Sequence, residues 1–314
     1  MTCVRCQHTR CKRFGYTGKR RVQRWRCQSC NSTFCEGVPK LGTHHTDPAK
    51  ATQALSMMLE GMSIRAISRL TGMHKNTILG LMLTAAQRAE ATMSTIRIRP
   101  RYLQCDELWS FLGKKRGHVR KGDPVDFGDQ WIFVAMDAET KLVPYFQIGK
   151  RTKETTLRFL EGLKWRLSED RFQITTDGYH FYRSIQSVFA GQCDFAQLVK
   201  LFGDYGHHDT PEGRYSPPGI TEVISKVIDG RPDPDHISTS YVERLNLSLR
   251  MHLRRFTRLT NGYSKKLENL HAAVTLFFAW YNYWRVSQAH RVTPAMESGL
   301  TDHVWTLAEL LGAA

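Results

Sequence analysis

Three acidic residues occur in local sequences that could place them around metal ions. Asp106 lies in YLQCDELW, Asp177 in ITTDGY and Glu243 in YVERLN. The two aspartates lie in or at the end of stretches that predict β-strands, and the glutamate belongs to a helical pattern rich in arginine. Hard cations such as Mg²⁺ prefer carboxylate oxygens, and a pair of them stabilises both the attacking and the leaving oxygen of a phosphodiester. The predicted chemistry is therefore metal-dependent cleavage or transesterification of a phosphodiester.

Each of these acids has a competing explanation. Glu107 is a rival to Asp106, because alternation along a strand turns only one of two neighbours toward a site. Asp129 and Asp137 fit less well, since they fall at a predicted strand edge and a predicted turn. Asp177 precedes a glycine and could simply begin a turn. The joint occurrence of the three motifs nevertheless favours one shared site.

The helix that carries Glu243 is predicted to be amphipathic. Its apolar stripe, which should face the core, consists of Val242, Leu245, Leu249, Leu253 and Phe256. Glu243 shares another face with Leu247, Arg250 and Arg254, at offsets of four, seven and eleven residues. Guanidinium groups suit phosphates, so this face is predicted to combine a metal ligand with phosphate contacts. The predicted DNA contacts here are Arg244, Arg250, Arg254, Arg255, Arg258, Lys265 and Lys266.

The charge of the chain predicts a polyanionic partner. Lysine and arginine outnumber aspartate and glutamate by 45 to 29, which gives a formal net charge of +16. Nucleic acid is the commonest such partner. Residues 1–35 carry nine basic residues and 244–267 carry seven, with no acid in either segment. The predicted DNA contacts in the first segment are Arg20, Arg21, Arg24 and Arg26. The competing explanation is that these arginines only keep a small module soluble.

Two cysteine pairs near the N-terminus predict one structural zinc ion. The predicted ligands are Cys3, Cys6, Cys27 and Cys30, in two Cys-x2-Cys pairs separated by twenty residues. Four thiolates complete a tetrahedron and leave no open position for chemistry. A β-hairpin is predicted to lead into the second pair. Cys11, Cys35 or His8 could replace one ligand, and a redox pair is the alternative to a metal site.

Residues 47–83 predict three short helices with the spacing of a helix-turn-helix. Asp47-Pro48 begins the first helix and Ser63 caps the second, which ends at Thr71-Gly72. This arrangement can place a third helix in the major groove of DNA, although plain packing of three helices gives similar periodicity. The residues predicted to face bases or phosphates are His74, Lys75, Asn76 and Thr77.

After Arg101 the pattern changes to strands alternating with helices. Strands are predicted at 102–112, 130–137, 141–148, 172–176 and 195–201, and helices at 155–167 and 181–189. Three antiparallel strands followed by helix, strand, helix and strand predict a mixed α/β sheet. Residues 203–240 are rich in Gly, Pro, His and Asp, and are interpreted as an insertion or long loop.

The predicted organisation has four parts. Residues 1–40 form a zinc ribbon, 41–95 a helix-turn-helix, 96–285 the catalytic α/β domain and 286–314 a C-terminal helical tail. The apolar run at 272–281 is too short to span a bilayer, which needs about 20 residues, and is interpreted as a buried helix. With no apolar run at the N-terminus, the chain is expected in the cytoplasm and not in a membrane.

Three motifs together resemble the insertion sequence 1 family of bacterial transposases. They are CDELWSF at 105–111, TDGY at 176–179 and YVERLNLSLRMHLRRF at 241–256. The cysteine pairs and the helix-turn-helix are similar to that family as well. One departure is the spacing of sixty-five residues between Asp177 and Glu243, which is longer than in compact members. Many relatives also join the two halves by frameshifting, whereas here both lie in one frame.

The resemblance implies a DDE catalytic domain of ribonuclease H-like fold, with Asp106, Asp177 and Glu243 as the triad. It implies two Mg²⁺ or Mn²⁺ ions at that site and recognition of terminal inverted repeats in double-stranded DNA. It also implies a homo-oligomer, at least a dimer on DNA, in the nucleoid of a bacterium.

The predicted function is therefore a DNA transposase that cuts element ends and joins the 3′-hydroxyls to target DNA. Three alternatives stay open. A tyrosine recombinase would use Tyr179 or Tyr241 as nucleophile. A transposase-derived regulator would bind DNA without catalysis, and a metal-dependent nuclease of the same fold would cut DNA without joining it.

Overall fold

A computed structural model describes most of the chain in two compact units. The described residues are 1–3, 5–17, 22–35, 46–203, 219–257 and 260–310. The two units are Met1–Pro48 and Ala49–Ala314. The predicted DNA contacts Arg20, Arg21 and Arg258 lie outside the described residues.

The first unit is a small antiparallel sheet. Its strands are β1 (Cys11–Thr17), β2 (Val22–Cys27) and β3 (Thr33–Cys35), in the order β1-β2-β3. The predicted hairpin is confirmed, with Cys11 opposite Cys27. Most side chains in these strands are exposed or half-buried. The unit therefore has little apolar core of its own, and a bound metal would have to supply much of its folding energy.

The second unit begins with three helices. These are α1 (Pro48–Leu59), α2 (Ile64–Thr71) and α3 (Lys75–Ser94). The predicted caps are confirmed: the Ser63 hydroxyl accepts the Ala66 N–H, and Gly72 ends α2 at φ +68°. A left-handed C-cap favours glycine because that residue has no Cβ.

A six-stranded mixed sheet follows. Its strands are β4 (Tyr102–Leu112), β5 (Gly128–Asp137), β6 (Tyr145–Gly149), β7 (Phe172–Asp177), β8 (Cys193–Phe202) and β9 (Ile220–Asp229). The order is β6-β5-β4-β7-β8-β9. The first three strands are antiparallel, β4, β7 and β8 are parallel, and β9 is antiparallel to β8. This topology confirms the predicted α/β fold class, a ribonuclease H-like mixed sheet.

Helices cover both faces of this sheet. They are α4 (Lys153–Lys164), α5 (Ile185–Phe189), α6 (Ser240–His252), α7 (Leu267–Tyr283), α8 (Pro294–Glu297) and α9 (Leu307–Leu310). Alternate residues of β4 face opposite layers. Leu103 and Cys105 pack with α4 and α5 in the main core, whereas Gln104 hydrogen-bonds to the start of α6.

The apolar run at 272–281 lies in α7, which is buried as predicted. Asn282 ties this helix to its neighbours, because it exchanges hydrogen bonds with the backbone of Val143 and donates to Met93 of α3. Among the described residues, no helix is both long and apolar enough to cross a membrane.

The segment 203–240 differs from the interpretation as a long loop. Strand β9 occupies ten of its residues and pairs with β8. Alternating apolar residues in β9 were obscured by the glycine- and proline-rich sequence around them. Residues 204–218 lie outside the described part of the chain.

Candidate active site

Carboxylates converge where β7 ends beside the middle of β4. The two strands are parallel, with Cys105 opposite Thr176, so Asp106 and Asp177 occupy the next pair of positions. One carboxylate oxygen from each of Asp106, Glu107 and Asp177 lies within 4.8 Å of the other two. Such a cluster of oxygen donors is suited to a hard divalent cation.

The inclusion of Glu107 corrects the expectation that only one of the two neighbours approaches the site. Strand β7 stops at Asp177, whereas β4 continues to Leu112. Beyond Asp177, therefore, no β7 backbone lies beside β4, and side chains from both faces of β4 can reach the end of β7. Asp106 approaches Asp177 from the α6 face, and the longer Glu107 side chain reaches it from the α4 face.

Asp106 is hydrogen-bonded to a residue of α6. Asn246 Nδ2 donates a hydrogen bond of 2.8 Å to Asp106 Oδ2. Burial, reinforced by repulsion from Asp177, raises the pKa of Asp106 to about 7. Asn246 Oδ1 is buried and has no hydrogen-bond partner among the described residues. This amide oxygen is a further hard donor beside the carboxylates.

Arg151 joins the other two acids. Its Nη2 lies 3.0 Å from Glu107 Oε2 and 3.7 Å from Asp177 Oδ2. The guanidinium carbon is 4.7 Å from the ring centroid of Trp131 and 4.1 Å from that of Tyr179. Stacking of this kind fixes the planar guanidinium. Even so, burial and repulsion from Asp177 raise the pKa of Glu107 to about 8.

Asp177 is positioned by the turn that follows β7. Its Oδ1 accepts the Tyr179 N–H at 3.0 Å, which is the local turn that an aspartate before glycine favours. A Cβ on Gly178 would lie 3.2 Å from Val199 Cγ2, so the turn packs closely on β8. Burial raises the pKa of Asp177 as well.

Glu243 lines the same cleft as Asp106 and Asp177, but it is not one of the three clustered acids. Its Oε1 accepts the Thr239 hydroxyl at 2.6 Å and is paired with the Lys200 ammonium of β8. The side chain is 42% exposed. Repulsion from Glu243 contributes to the raised pKa values of Asp106 and Asp177, so its charge acts on both.

The start of α6 is fixed to the sheet by Gln104. Its Oε1 accepts the N–H groups of Tyr241 and Val242 at 3.0 and 3.1 Å. Gln104 lies two residues before Asp106 on the same strand face, so one face of β4 locates both an acid and the helix that carries Glu243.

We expect Gln104→Leu to destabilise the protein by about 1–3 kcal/mol, because two helix N–H groups would lose their acceptor. It should also lower the catalytic rate of the folded fraction, because Glu243 would no longer be held beside Asp106. Gln130→Leu is the matched control, since Gln130 is a buried strand glutamine that donates to Asp126 O. Denaturant unfolding and the rate at saturating metal are the measurements. Equal rates per folded molecule in the two variants would contradict the positioning role.

The raised pKa values predict how the metal-free protein responds to pH. Unfolded carboxyls release their protons near pH 4, whereas Asp106 and Glu107 keep theirs to about pH 7 and 8. Between these values the native state binds more protons, so the free energy of unfolding falls as pH rises. From pH 5.5 to pH 8 in EDTA the expected loss is about 5 kcal/mol, of which about 2 kcal/mol comes from Asp106 and about 3 kcal/mol from Glu107. Chemical denaturation at both pH values measures it, and Glu107→Gln should flatten the dependence.

The four predicted cysteines form a second cluster, in the first unit. One sulfur from each of Cys3, Cys6, Cys27 and Cys30 lies within 4.8 Å of the others. The Sγ–Sγ distances are 3.7 Å between Cys3 and Cys30 and 3.6 Å between Cys6 and Cys27. A tetrahedral zinc with bonds of about 2.3 Å requires about 3.8 Å between sulfurs, so the site fits this ion.

Local hydrogen bonds lower the pKa values of Cys27 and Cys30 and so favour their thiolates. The backbone N–H groups of Arg5 and Ser29 donate to Cys3 Sγ and Cys27 Sγ at 3.4 Å. Hydrogen bonds from the side chain and backbone of Ser32 lower the pKa of Cys30 to about 6. Thiolates are the form that binds metal. Cys11 and Cys35 are not part of this four-sulfur group.

The predicted DNA contacts differ in how accessible they are. The exposed residues are Arg244, Arg254, Lys265, Lys266, His74, Lys75 and Asn76, and the half-buried ones are Arg24, Arg26, Arg250 and Thr77. Helix α6 ends at His252, so Arg254 follows the helix in a short 3-10 turn and does not lie on it.

The structure of the Arg255 side chain does not fit its predicted contact with DNA. Its guanidinium donates to Ser264 Oγ at 2.8 Å and to Asn269 O at 2.6 Å, and it lies against Met82. Burial lowers the pKa of Arg255 to about 10. The side chain therefore ties a loop to α3 and α7 and is removed from the proposed DNA contacts.

Sequence reasoning missed Gln104, Arg151 and Asn246. Gln104 and Asn246 could have been predicted from the sequence pattern. Gln104 is polar on a strand face that must be buried, and Asn246 lies three residues after Glu243, on the side of α6 that faces the sheet. Arg151 precedes a helix in a basic stretch, and nothing in its local sequence distinguishes it from a solvated residue.

No family model matches the chain, and no curated protein matches it. Among solved structures, it is similar to piggyBac transposase in a synaptic complex with hairpin DNA, at 10% identity and a TM-score of 0.41, over 84% of this chain and 69% of that one. It is also similar to the pre-cleavage Mos1 transpososome, at 13% identity and a TM-score of 0.20, over 49% of this chain and 61% of that one. The chain thus spans about 61% of the length of the Mos1 protein.

Proposed function

We propose that this protein is a DNA transposase of the insertion sequence 1 type. It would bind the terminal inverted repeats of an element, cut the strands at their ends and join the freed 3′-hydroxyls to target DNA. The observation that supports this most is the meeting of Asp106, Asp177 and Glu243 in one cleft on a ribonuclease H-like sheet. A basic chain of this composition suits a DNA substrate.

Asp106, Asp177 and Glu243 are the proposed ligands of two Mg²⁺ or Mn²⁺ ions, and Glu107 is a further donor within reach. All donors are oxygens, which favours these hard ions over zinc. When bound, such ions activate the attacking hydroxyl and stabilise charge on the leaving oxygen. Burial and, after it, repulsion from Asp177 raise the pKa of Asp106, and bound cations would relieve that repulsion.

The surrounding side chains hold these acids in place. Asn246 orients Asp106 through its hydrogen bond, and Arg151 spans Glu107 and Asp177. Because Arg151 is clamped by two aromatic rings, it limits the motion of both carboxylates. Lys200 lines the same cleft and is paired with Glu243, and it would supply positive charge beside the phosphates of a bound DNA strand.

DNA recognition is assigned to the N-terminal helices and to the zinc ribbon. His74, Lys75 and Asn76 stand exposed at the start of α3, where a recognition helix would meet the groove. The preceding helices are fixed to the catalytic domain, since His252 Nδ1 donates to Leu59 O at 2.7 Å. A Cβ on Gly61 would lie 2.7 Å from Met251 O, so this contact leaves no room for a larger residue.

The test is a reconstituted reaction. Purified protein and Mg²⁺ are incubated with a labelled DNA fragment that carries the flanking ends of the protein's own gene, together with a target plasmid. A transposase should cut at the ends and produce joined molecules. Cleavage without joining would favour the nuclease, and end-specific binding without cleavage would favour the regulator. A covalent protein–DNA adduct that requires Tyr179 or Tyr241 would favour the tyrosine recombinase.

A further inference from the structure

The outer edge of the sheet is formed by β9. This strand pairs with β8 on one side, and no strand in the described part of the chain pairs with its other side. Seven of its ten residues are exposed, including Ile220, Val223 and Val227 at 53%, 52% and 59%. An exposed strand of this length without proline offers a row of free backbone groups to another strand.

The sequence of β9 is self-complementary when read in opposite directions. The pairing with β8 is regular from Glu222 to Val227 and is interrupted at Thr221 and at Ile228. Within the regular part, alternate residues share one face of the strand, and on one face they are Glu222, Ile224 and Lys226. In an antiparallel pair of two copies centred on Ile224, each Glu222 would lie opposite Lys226 of the other copy, and the two copies of Ile224 would lie opposite each other.

We propose that β9 is a docking surface for a second copy of this chain. The two β9 strands would pair antiparallel about a twofold axis that passes through Ile224 perpendicular to the sheet. Such an interface is isologous, so every contact occurs twice. Two six-stranded sheets would thereby become one continuous sheet, joined by backbone hydrogen bonds.

The charges select this register. Centring the axis on Val223 or Ser225 would place Glu222 or Lys226 opposite an isoleucine. A parallel, in-register pair would set Glu222 against Glu222, which is unfavourable. Neither residue takes part in an ion pair within the described part of the chain. Both charges are therefore available to a second copy.

The pairing would fix the relation of the two catalytic clefts. A twofold axis perpendicular to the sheet keeps corresponding faces on the same side, so both α6 faces would point in one direction. The two copies of β7 would be five strand spacings apart, roughly 24 Å across the sheet. This inference needs only the edge strand, and it stands whether or not the proposed catalysis is correct.

The test uses reversed charges in the full-length protein without DNA, with the dimer dissociation constant measured by sedimentation velocity. Glu222→Lys and Lys226→Glu should each weaken the dimer by about tenfold or more, because two attractive pairs become repulsive. The double variant should recover wild-type affinity. A mixture of the two single variants should also associate, as a heterodimer, because lysines then face glutamates at both pairs. Glu169→Lys, an exposed reversal away from the edge, is the control and should have no effect.

A covalent trap supplies the second measurement. Ile224→Cys should form a disulfide with its own counterpart under mild oxidation, since directly opposed residues have the spacing that a disulfide needs. Val227→Cys should not, because the two copies of Val227 would be about 20 Å apart along the strands. Peptide mapping distinguishes these bonds from those of native cysteines. A protein that stays monomeric, a dimer insensitive to the single reversals, or a mixture that fails to associate would overturn the proposal.

Discussion

Replacing Asp177 by asparagine should abolish both DNA cleavage and strand transfer while leaving DNA binding intact. Asparagine keeps the shape of the side chain and an oxygen that can accept the Tyr179 N–H, so the turn after β7 should survive. It removes the charge that a divalent cation needs. Loss of an outer-shell partner costs tenfold to hundredfold in metal affinity or activity, so loss of a ligand should cost about a thousandfold or more.

The matched control is Asp129→Asn. Asp129 is also a strand aspartate, and its Oδ1 accepts the Arg116 N–H at 3.4 Å, but it is not one of the clustered acids. Its variant should cut and join end DNA at a rate close to wild type. Cleavage, joining and binding are measured on the same end fragment, with thermal unfolding as the check on folding. Activity retained in Asp177→Asn would exclude this residue from the proposed triad.

Glu107→Gln separates two roles for the remaining buried acid. If Glu107 only anchors Arg151, the variant should keep most activity, because a glutamine oxygen can still accept from the guanidinium at the position of Oε2. If Glu107 also binds an ion, activity should fall at low Mg²⁺ and recover at high Mg²⁺. The dependence of the rate on Mg²⁺ concentration therefore distinguishes anchoring from coordination.

Periodicity was sufficient to predict most of the fold. Strand β4 was predicted with the limits Tyr102–Leu112 that the structure has, because the stretch is rich in apolar and aromatic residues and is bounded by Arg101 and Gly113. The apolar stripe from Val242 to Phe256 is buried as predicted, although its last two residues, Leu253 and Phe256, follow the end of α6 at His252. Strand β9 was missed because composition outweighed alternation in a segment rich in turn-forming residues.

The details of the site depend on where strands end, and the sequence does not record that. Glu107 reaches the acids only because β7 stops at Asp177 while β4 continues. Arg255 was predicted to contact phosphate because it extends the basic track that follows Glu243, but α6 ends at His252 and the Arg255 guanidinium donates to Asn269 O inside the fold. Both differences from the prediction therefore follow from where a secondary-structure element ends in the folded protein.

Replacing Cys27 by serine should unfold the first unit while leaving the second folded. The unit buries few side chains, and structural zinc in small domains contributes about 10–16 kcal/mol of apparent binding free energy. Cys27 is itself fully buried and belongs to the four-sulfur cluster. A serine hydroxyl is a poor zinc ligand at neutral pH, so one ligand of the tetrahedron is lost.

Cys35→Ser provides the control, since Cys35 is half-buried and lies outside the cluster. Wild type and Cys35→Ser should each contain one zinc per chain, and Cys27→Ser should contain none. Hydrogen exchange of residues 22–35 should become fast only in Cys27→Ser, because β2 and β3 lose the metal that holds them together. Arg24 and Arg26 are half-buried on this sheet, with their guanidinium groups over the Phe14 ring. Their proposed phosphate contacts would therefore be lost as well, and the salt dependence of DNA binding should become shallower. Zinc retained in Cys27→Ser would contradict the assignment of the metal to the cysteine cluster. An unchanged salt dependence of DNA binding would contradict the proposed contact between this unit and DNA.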